Sequence, residues 1–211
     1  MRAVLASDHE PPDRTDVRAY LRALYRGVSG YDISHEEERD VRMARGSPTY
    51  GEITFAAVEQ LADHLALGPG DVFYDLGSGV GKAVLQLAMT RPLRRVVGLE
   101  LSPSRHLHAS AALARARADG KLVARACAFV HGDILDAPLA DATVAYTCST
   151  AFSDSFMRKL VRKLAALRPG LRFVTTRHPI VRHGFVETAE LRLDMSWHRR
   201  SPVYIYELPA S

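Results

Sequence analysis

The residues of this chain best suited to chemistry fall in three short segments built of glycines and acids. The first is Asp75-Leu76-Gly77-Ser78-Gly79-Val80-Gly81-Lys82. Glycines at 77, 79 and 81 let the backbone come close to a ligand, and Asp75 brings a carboxylate for a cationic group. The dinucleotide fingerprint G-x-G-x-x-G spaces its glycines differently, with the third serving helix packing beside a pyrophosphate. The segment therefore suits a ligand that has no phosphate and carries an amino-acid end.

Glu100 lies 25 residues after Asp75, at the end of the apolar run Arg95–Leu99. A carboxylate there can accept both hydroxyls of a ribose through charge-assisted hydrogen bonds. Asp133 follows the next apolar run and can accept from the exocyclic amine of adenine, with Ile134 packing on the ring. Taken singly, these have plainer readings: a tight glycine turn, a surface acid and a turn or cap aspartate. Taken together they describe a site for S-adenosylmethionine, whose amino acid, ribose and adenine need such groups in that order. A fourth segment, Thr147-Cys148-Ser149-Thr150-Ala151-Phe152, contains no proline. It thus lacks the Asn/Asp-Pro-Pro-Tyr/Phe motif common in methyltransferases of planar amides or bases, which argues against adenine or glutamine as acceptor.

Such segments need strand ends to hold them. Val72-Phe73-Tyr74, Arg95–Leu99, Ala128-Phe129-Val130, Ala142–Thr147 and Leu171–Thr176 read as strands, and Lys82–Met89, Ser104–Ala118 and Asp154–Leu167 as helices. This alternation predicts a parallel sheet with right-handed crossovers, and ligands in open sheets of this kind bind at the carboxyl ends of the strands near the switch point. Two last strands, about Phe185–Met195 and Pro202–Leu208, have no helix between them and predict an antiparallel pair at one edge. The expected fold is α/β: a doubly wound, mostly parallel, seven-stranded sheet of the class I S-adenosylmethionine methyltransferase type. The helix Asp154–Leu167 carries Arg158, Lys159, Arg162 and Lys163, a run that reads first as a solvated face.

Upstream, Phe55–Leu65 is helical and stops at Gly68-Pro69-Gly70. Asp16–Arg26 has helical apolar spacing at Val17, Tyr20, Leu21, Leu24 and Tyr25. Ser34 with Glu37 reads as a capping box that opens a second helix to about Arg45, closed by Gly46-Ser47-Pro48. Residues 1–12 read as a loose tail. The expected division is a small helical extension over 1–46 and a catalytic domain over 47–211.

Composition narrows the class. Of 211 residues 47% are apolar and 25% charged, which fits one globular domain with a small extension and excludes disorder. No uncharged apolar run approaches the roughly 18 residues needed to cross a bilayer, and the first residues, MRAVLASDHEPPDR, do not read as a secretory signal. Two cysteines, Cys127 and Cys148, are too few for a disulfide framework. The expected setting is cytoplasmic, with no membrane partner and no metal. A net charge of +4 and a pI near 9.2 admit an acidic or nucleic-acid-associated partner without requiring one. Four of the 28 basic residues are lysines, a bias that reflects the codons of a GC-rich genome before it reflects phosphate recognition.

Beyond single residues, the sequence resembles the disruptor-of-telomeric-silencing family of histone lysine methyltransferases, which lack a SET domain. The stretches that carry the likeness are Thr49–Phe55 (TYGEITF), Asp71–Ala88 (DVFYDLGSGVGKAVLQLA), Val96–Glu100 (VVGLE), Gly132–Leu135 (GDIL), Ala151-Phe152, and Ser196–Tyr206 with its SW…PVYIY. They cover roughly residues 47–208 in order, as a short homologue of the kind expected in a prokaryote. The resemblance implies that Tyr50-Gly51-Glu52-Ile53 folds over the methionine end of the cofactor. It implies that Asp75, Gly77, Ser78, Gly79 and Lys82 line that end, that Glu100 binds the ribose, and that Asp133 and Ile134 hold the adenine. Cys148 stands where members have an asparagine beside the methyl group. Phe152, Trp197 and either Tyr204 or Tyr206 are implied to line a narrow channel for an acceptor lysine, and the partner is then a protein presenting that lysine, with histone-like basic proteins the first candidates. The family's longer helical N-terminal region and its basic extension look reduced here.

The implied reaction moves a methyl group from sulfonium to a lysine ε-amine. An ordinary lysine has a pKa near 10.4, so neutralising it at pH 7 costs about 4–5 kcal/mol. An apolar aromatic channel beside a positive sulfonium disfavours the ammonium and lowers that cost. Two rival readings are a methyltransferase for a small molecule or other non-lysine acceptor, and a cofactor-binding protein without transferase activity. A wide acceptor mouth would favour the small-molecule reading.

Overall fold

Apolar runs that alternate with amphipathic helices need both faces of their sheet covered, and the chain folds accordingly. The computed structural model describes residues 13–43, 49–176, 179–180 and 183–210. Among these, seven strands form one sheet: β1 (Val72–Leu76), β2 (Arg95–Glu100), β3 (Cys127–His131), β4 (Val144–Thr147), β5 (Arg172–Thr176), β6 (Val186–Leu193) and β7 (Ser201–Glu207). Their order is β3-β2-β1-β4-β5-β7-β6. The first five are parallel to one another, and β7 runs antiparallel to both β5 and β6. The chain direction reverses across the sheet between β1 and β4, so the switch point lies there.

The helices are α1 (Arg14–Leu24), α2 (His35–Met43), α3 (Phe55–His64), α4 (Lys82–Thr90), α5 (Pro103–Ala118) and α6 (Asp154–Ala165). Several begin on side-chain caps of the expected kind: Asp13 for α1, Thr54 for α3, Ser102 for α5 with Pro103 at the first helical position, and Ser153 for α6. Strand alternation sorts the core onto two faces. Phe73 of β1 packs with Val58, Leu61, Val84, Leu85 and Tyr146, whereas Val72, Tyr74 and Leu76 pack with Leu160, Leu164 and Phe173. Helix α6 is held by Phe156, Met157, Leu160, Val161 and Leu164, all buried. At about 1.5–3 kcal/mol for each large apolar side chain fully buried, this stripe outweighs anything its basic face contributes.

The N-terminal helices belong to the same body of packing. Val17, Leu21 and Tyr25 join the core beneath α1, and Arg14 pairs with Glu59 at 3.1 Å, which also meets Arg91 at 2.9 Å. Only half of the expected capping box forms. Ser34 Oγ accepts from the Glu37 N–H at 3.1 Å, but the Glu37 carboxylate turns to α5, where it accepts from both hydroxyls of Ser102 and Ser104 and from the Ser104 N–H at 3.0 Å. Burial opposes the charged form of Glu37, yet these donors outweigh it and hold its pKa low. A contact 65 residues away in sequence thus takes the role that local pattern assigned to the cap.

Boundaries also shift. Helix α1 begins at Arg14 and ends at Leu24, earlier at both ends than the apolar spacing indicates, and β4 begins at Val144 and not at Ala142. Strand β1 runs on through Asp75 and Leu76, so Asp75 is a strand residue with its direction set by the pleat. The tail over residues 1–12, the break at Gly46-Ser47-Pro48 and the helix end at Arg45 lie outside the described residues.

Candidate active site

A single cleft opens at the carboxyl ends of β1, β2 and β4 and encloses about 990 Å³, part of it open to solvent. It sits at the switch point, where open α/β sheets bind ligands. Every residue expected to hold the cofactor lines it: Tyr50 to Ile53, Asp75, Gly77 to Gly79, Lys82, Glu100, Asp133 and Ile134. Of the residues expected around the acceptor, Cys148 and Phe152 line it, and Trp197, Tyr204 and Tyr206 do not.

At one end stands Glu100, the last residue of β2 and 7% exposed. Its two oxygens accept from the Gly79 N–H at 2.7 Å and the Ser102 N–H at 2.8 Å. Gly77 and Ser78 donate their N–H groups to the Leu99 carbonyl, each at 2.9 Å, which ties the glycine loop to β2. Two glycines make this possible. A Cβ on Gly79, whose φ is +56°, would lie 2.4 Å from the Tyr50 ring, and one on Gly98 would lie 2.5 Å from the Phe129 ring. Burial raises the Glu100 pKa, while the amides of Ser102, Gly79 and Leu101 and the Arg105 guanidinium pull it back towards the charged form.

Beyond Glu100 the segment after β3 brings Asp133 and Ile134 to the wall. Asp133 Oδ1 accepts from the Leu135 N–H at 2.8 Å, so the aspartate does serve as a turn residue as well. The segment is fastened from α6. Lys163 Nζ donates to the carbonyls of Ile134 at 2.9 Å, Leu135 at 2.7 Å and Ala137 at 2.5 Å. Lys163 therefore leaves the solvated face on which its spacing puts it, whereas Arg158, Lys159 and Arg162 remain exposed. Burial lowers the Lys163 pKa, opposed by the charges of Asp136 and Asp133.

At the other end Asp75 of β1 is 4% exposed, and its carboxylate accepts no hydrogen bond among the described residues. Burial, with the Glu100 charge second, pushes its pKa up to about 7. Its register partner across the switch point is Tyr146 of β4, also buried, whose hydroxyl has no partner among the described residues. The loop Tyr50–Ile53 closes this end. Tyr50 Oη donates to Glu52 Oε1 at 2.5 Å, its ring carries the Arg105 guanidinium 4.8 Å from its centroid, and Lys82 Nζ lies 2.8 Å from Glu52 Oε1. The loop is held from behind by the chain before β7. Ser196 donates its N–H to the Glu52 carbonyl at 2.7 Å, and its hydroxyl accepts from the Glu52 N–H at 3.0 Å.

The acceptor side is less complete. The Phe152 ring covers Gly77 at 3.5 Å from a Cβ built there, and packs against Phe156 with centroids 4.5 Å apart and the rings tilted by 49°. Trp197 lies against Gly51 and is 42% exposed, which puts it on the rim behind the loop. Tyr206 is 1% exposed in the core under α6, where its hydroxyl accepts from the Ile180 N–H at 2.8 Å. Tyr204 pairs with Thr175, two residues nearer the cleft end of β5 than Tyr206, which pairs with Phe173. Burial raises the Cys148 pKa, so the thiol is neutral at pH 7 and is no thiolate nucleophile.

Among the lining residues that the sequence did not mark as site residues are Arg105 and Tyr146. Arg105 is 4% exposed and donates from Nε to the Gly30 carbonyl at 2.8 Å. A buried cation in the first turn of a helix opposes the helix dipole, and that oddity was its sequence signal. Tyr146 had none, because its place beside Asp75 depends on strand register. As a set, the lining fits a ligand with an ammonium at one end and vicinal hydroxyls at the other. Among the described residues no group of histidine, cysteine, aspartate and glutamate could hold a metal ion, and no helix is long and apolar enough to cross a membrane.

Comparison with known proteins bears on the same residues. A family model described as histone methylation protein DOT1 matches residues 40–197. A histone-lysine N-methyltransferase of Drosophila melanogaster, specific for H3 lysine-79, is 31% identical over 136 residues, which are 61% of this chain and 7% of that protein. The enzyme of the same description from Caenorhabditis elegans is 32% identical over 145 residues, 62% of this chain and 15% of that protein. The chain thus spans a small part of the length of these relatives. Among solved structures, an RNA methyltransferase from Salinibacter ruber in complex with S-adenosyl-L-homocysteine matches with a TM-score of 0.59 and 27% identity, over 74% of this chain and 92% of that one. A geranyl diphosphate C-methyltransferase from Streptomyces coelicolor A3(2) shares the fold at a TM-score of 0.58 and 15% identity, over 84% of this chain and all of that one.

Proposed function

Because the chain belongs to the histone methylation protein DOT1 family, we propose that it transfers a methyl group from S-adenosylmethionine to the ε-amine of a protein lysine, with histone-like basic proteins as first candidates. One observation carries the reading: Asp75, Glu100 and Asp133 come from three successive strand ends into a single cleft beside the loop Tyr50–Ile53. When bound, S-adenosylmethionine supplies an electrophilic methyl group on a sulfonium sulfur. Asp75 and the Glu52–Lys82 pair receive its charged amino-acid end, Glu100 orients the ribose hydroxyls, and Asp133 with Ile134 holds the adenine.

Phe152 and Cys148 form an apolar wall beside the point where the methyl group arrives. Such a wall excludes water and favours the neutral amine over the ammonium, and positioning for in-line attack supplies much of the remaining acceleration. The bond from nitrogen to the methyl carbon forms as the carbon–sulfur bond breaks, sulfur keeps the electron pair, and the amine then sheds a proton to solvent. Trp197 at the rim guides the acceptor chain. Two free cysteines, Cys127 and Cys148, suit a cytoplasmic protein. The division into an extension over 1–46 and a catalytic domain over 47–211 belongs to the same proposal.

The likeness to an RNA methyltransferase at 27% identity keeps RNA as a second acceptor class. Incubation with methyl-labelled S-adenosylmethionine, core histones, bacterial nucleoid proteins and total RNA separates the two. Peptide mapping is expected to find the label on lysine. Label confined to RNA, to small molecules or to arginine would overturn the lysine reading.

A further inference from the structure

Arg105 is a cation in an unfavourable place. It lies in the first turn of α5, where the positive end of the helix dipole disfavours it, and it is 4% exposed. A charged side chain buried this far is held by partners. Its Nε donates to the Gly30 carbonyl at 2.8 Å, and its guanidinium lies over the Tyr50 ring, 4.8 Å from the centroid. It also lines the cleft, and its charge reaches Glu100.

These contacts converge on Tyr50. A Cβ on Gly79 would lie 2.4 Å from the Tyr50 ring and one on Gly30 would lie 2.0 Å from it, so the ring is wedged between two backbones that come this close only as glycine. Tyr31 meets the same ring edge-on, with centroids 5.1 Å apart. From the wedged ring the hydroxyl donates to Glu52, which pairs with Lys82. Gly79 in turn donates its N–H to Glu100. Arg105 thus stands where the loop Tyr50–Ile53, the glycine loop and the ribose acceptor meet. A planar guanidinium covers a ring with its face while an N–H on its edge donates in its own plane, and a lysine ammonium cannot do both.

We propose that Arg105 is a positioning residue of the cofactor site: lying over the Tyr50 ring and anchored on the Gly30 carbonyl, it holds the loop Tyr50–Ile53 against the glycine loop before the ligand arrives. This rests on the methyl-transfer reading above and deepens it. A second effect follows from charge. Burial raises the Glu100 pKa, and the Ser102 amide and then the Arg105 charge draw it back, which keeps a carboxylate ready for the ribose hydroxyls. Asp75 of β1 feels the Glu100 charge, and Glu37 of α2 shares Ser102 with Glu100, but substitution at Arg105 leaves both in place. The loop effect acts on the amino-acid end of the ligand, and the charge effect on its nucleoside.

The test is calorimetric titration of wild type, Arg105→Lys and Arg105→Gln with S-adenosylhomocysteine and with 5′-methylthioadenosine, which lacks the amino acid. Arg105→Lys keeps the charge and loses the planar contact. It is expected to weaken S-adenosylhomocysteine roughly fivefold, to leave 5′-methylthioadenosine and its pH profile unchanged, and to speed amide exchange of Tyr50–Ile53 in the unliganded protein roughly tenfold. Arg105→Gln loses both, so 5′-methylthioadenosine affinity is expected to fall off at a higher pH than in wild type, as Glu100 takes up its proton sooner. Tyr50→Leu removes the ring and keeps Arg105. It is expected to cost as much S-adenosylhomocysteine affinity as Arg105→Lys, which adds nothing further in that background. Unchanged loop exchange with unchanged affinity in Arg105→Lys would overturn the proposal, and so would additive losses in the double variant. An equal loss for both ligands with an unshifted pH profile would also overturn it, as the mark of a role confined to the packing of α5. A wild-type chain that binds neither ligand would instead refute the cofactor reading on which the proposal rests.

Discussion

Glu100 and Asp75 are two buried carboxylates in one cleft, and the protein treats them differently. Glu100 already accepts the Gly79 and Ser102 amides and lies near Arg105. Its geometry is set before any ligand arrives, with lone pairs left for ribose hydroxyls. Asp75 has burial, a like charge nearby and no donor, and it shares that condition with Tyr146. The Glu100 end is preorganised, and the Asp75 end carries a buried carboxyl without a donor. On the methyl-transfer proposal the first sets affinity through rigidity and the second sets selectivity for a cationic ligand.

The largest effect is expected from Glu100→Ala, which breaks the preorganised end. Loss of the ribose acceptor weakens S-adenosylhomocysteine by about 1.5–3 kcal/mol, or roughly ten- to a hundredfold. The sequence alone suggests an unaltered fold for this variant. The structure changes that expectation, because the Gly79 and Ser102 N–H groups lose their acceptor. Differential scanning calorimetry should show a lowered melting temperature in the unliganded variant, and an unchanged one would erase the contrast between the two ends.

Asp75→Asn addresses the deficient end through pH. In the unliganded protein the Asp75 pKa is pushed up to about 7. A ligand ammonium favours the carboxylate and lowers that pKa, so the free protein holds a proton that the complex does not. Affinity for S-adenosylhomocysteine should therefore climb as pH rises towards about 7, by up to about tenfold per unit, and level off above it. The variant should bind about tenfold more weakly at pH 8, with the climb gone. Stability carries the opposite sign. The folded pKa exceeds the ordinary 3.8, so the folded state holds the proton longer, and stability assigned to Asp75 falls as pH rises from about 4 through 7. Chemical unfolding of wild type and variant across that window would expose the difference, and parallel curves would count against it.

Lys163→Met should give the smallest effect and sharpen the comparison. It releases the Ile134, Leu135 and Ala137 carbonyls and loosens the adenine wall. The expected cost is about 1–2 kcal/mol of stability and roughly threefold in affinity. The affinity loss should be equal for S-adenosylhomocysteine and 5′-methylthioadenosine, because both share the adenine, with partial rescue by Lys163→Arg. A loss restricted to S-adenosylhomocysteine would show that Lys163 acts elsewhere than on the nucleoside end.

The parts that were legible in the sequence are those governed by local rules. The strand–helix alternation predicted the parallel sheet, and the missing helix between the last two strands predicted the antiparallel pair, now seen as β6 and β7. Asp75, Glu100 and Asp133 were legible because a parallel sheet carries the carboxyl ends of successive strands to the same edge. Lys163 was misread as a solvated face because helical spacing reports which side of α6 it occupies and not which loop passes over that side. Glu37 was assigned to its own helix cap because the two serines of α5 that claim it lie more than 60 residues away.

The sequence by itself determined the fold class, the glycine loop, and the acids at the strand ends. These follow from periodicities of two and 3.6 residues and from the φ freedom of glycine, all of which act within a few residues. Only the tertiary structure decided that Tyr146 stands beside Asp75, that Arg105 backs Tyr50, that Trp197 lies on the rim, and that Tyr206 belongs to the core while Tyr204 sits nearer the cleft end of β5. Those placements depend on register between strands joined by long crossovers and on packing between distant segments. One step of register would turn Tyr146 to the opposite face of the sheet, and it is burial of the whole core, not any local signal, that selects the register.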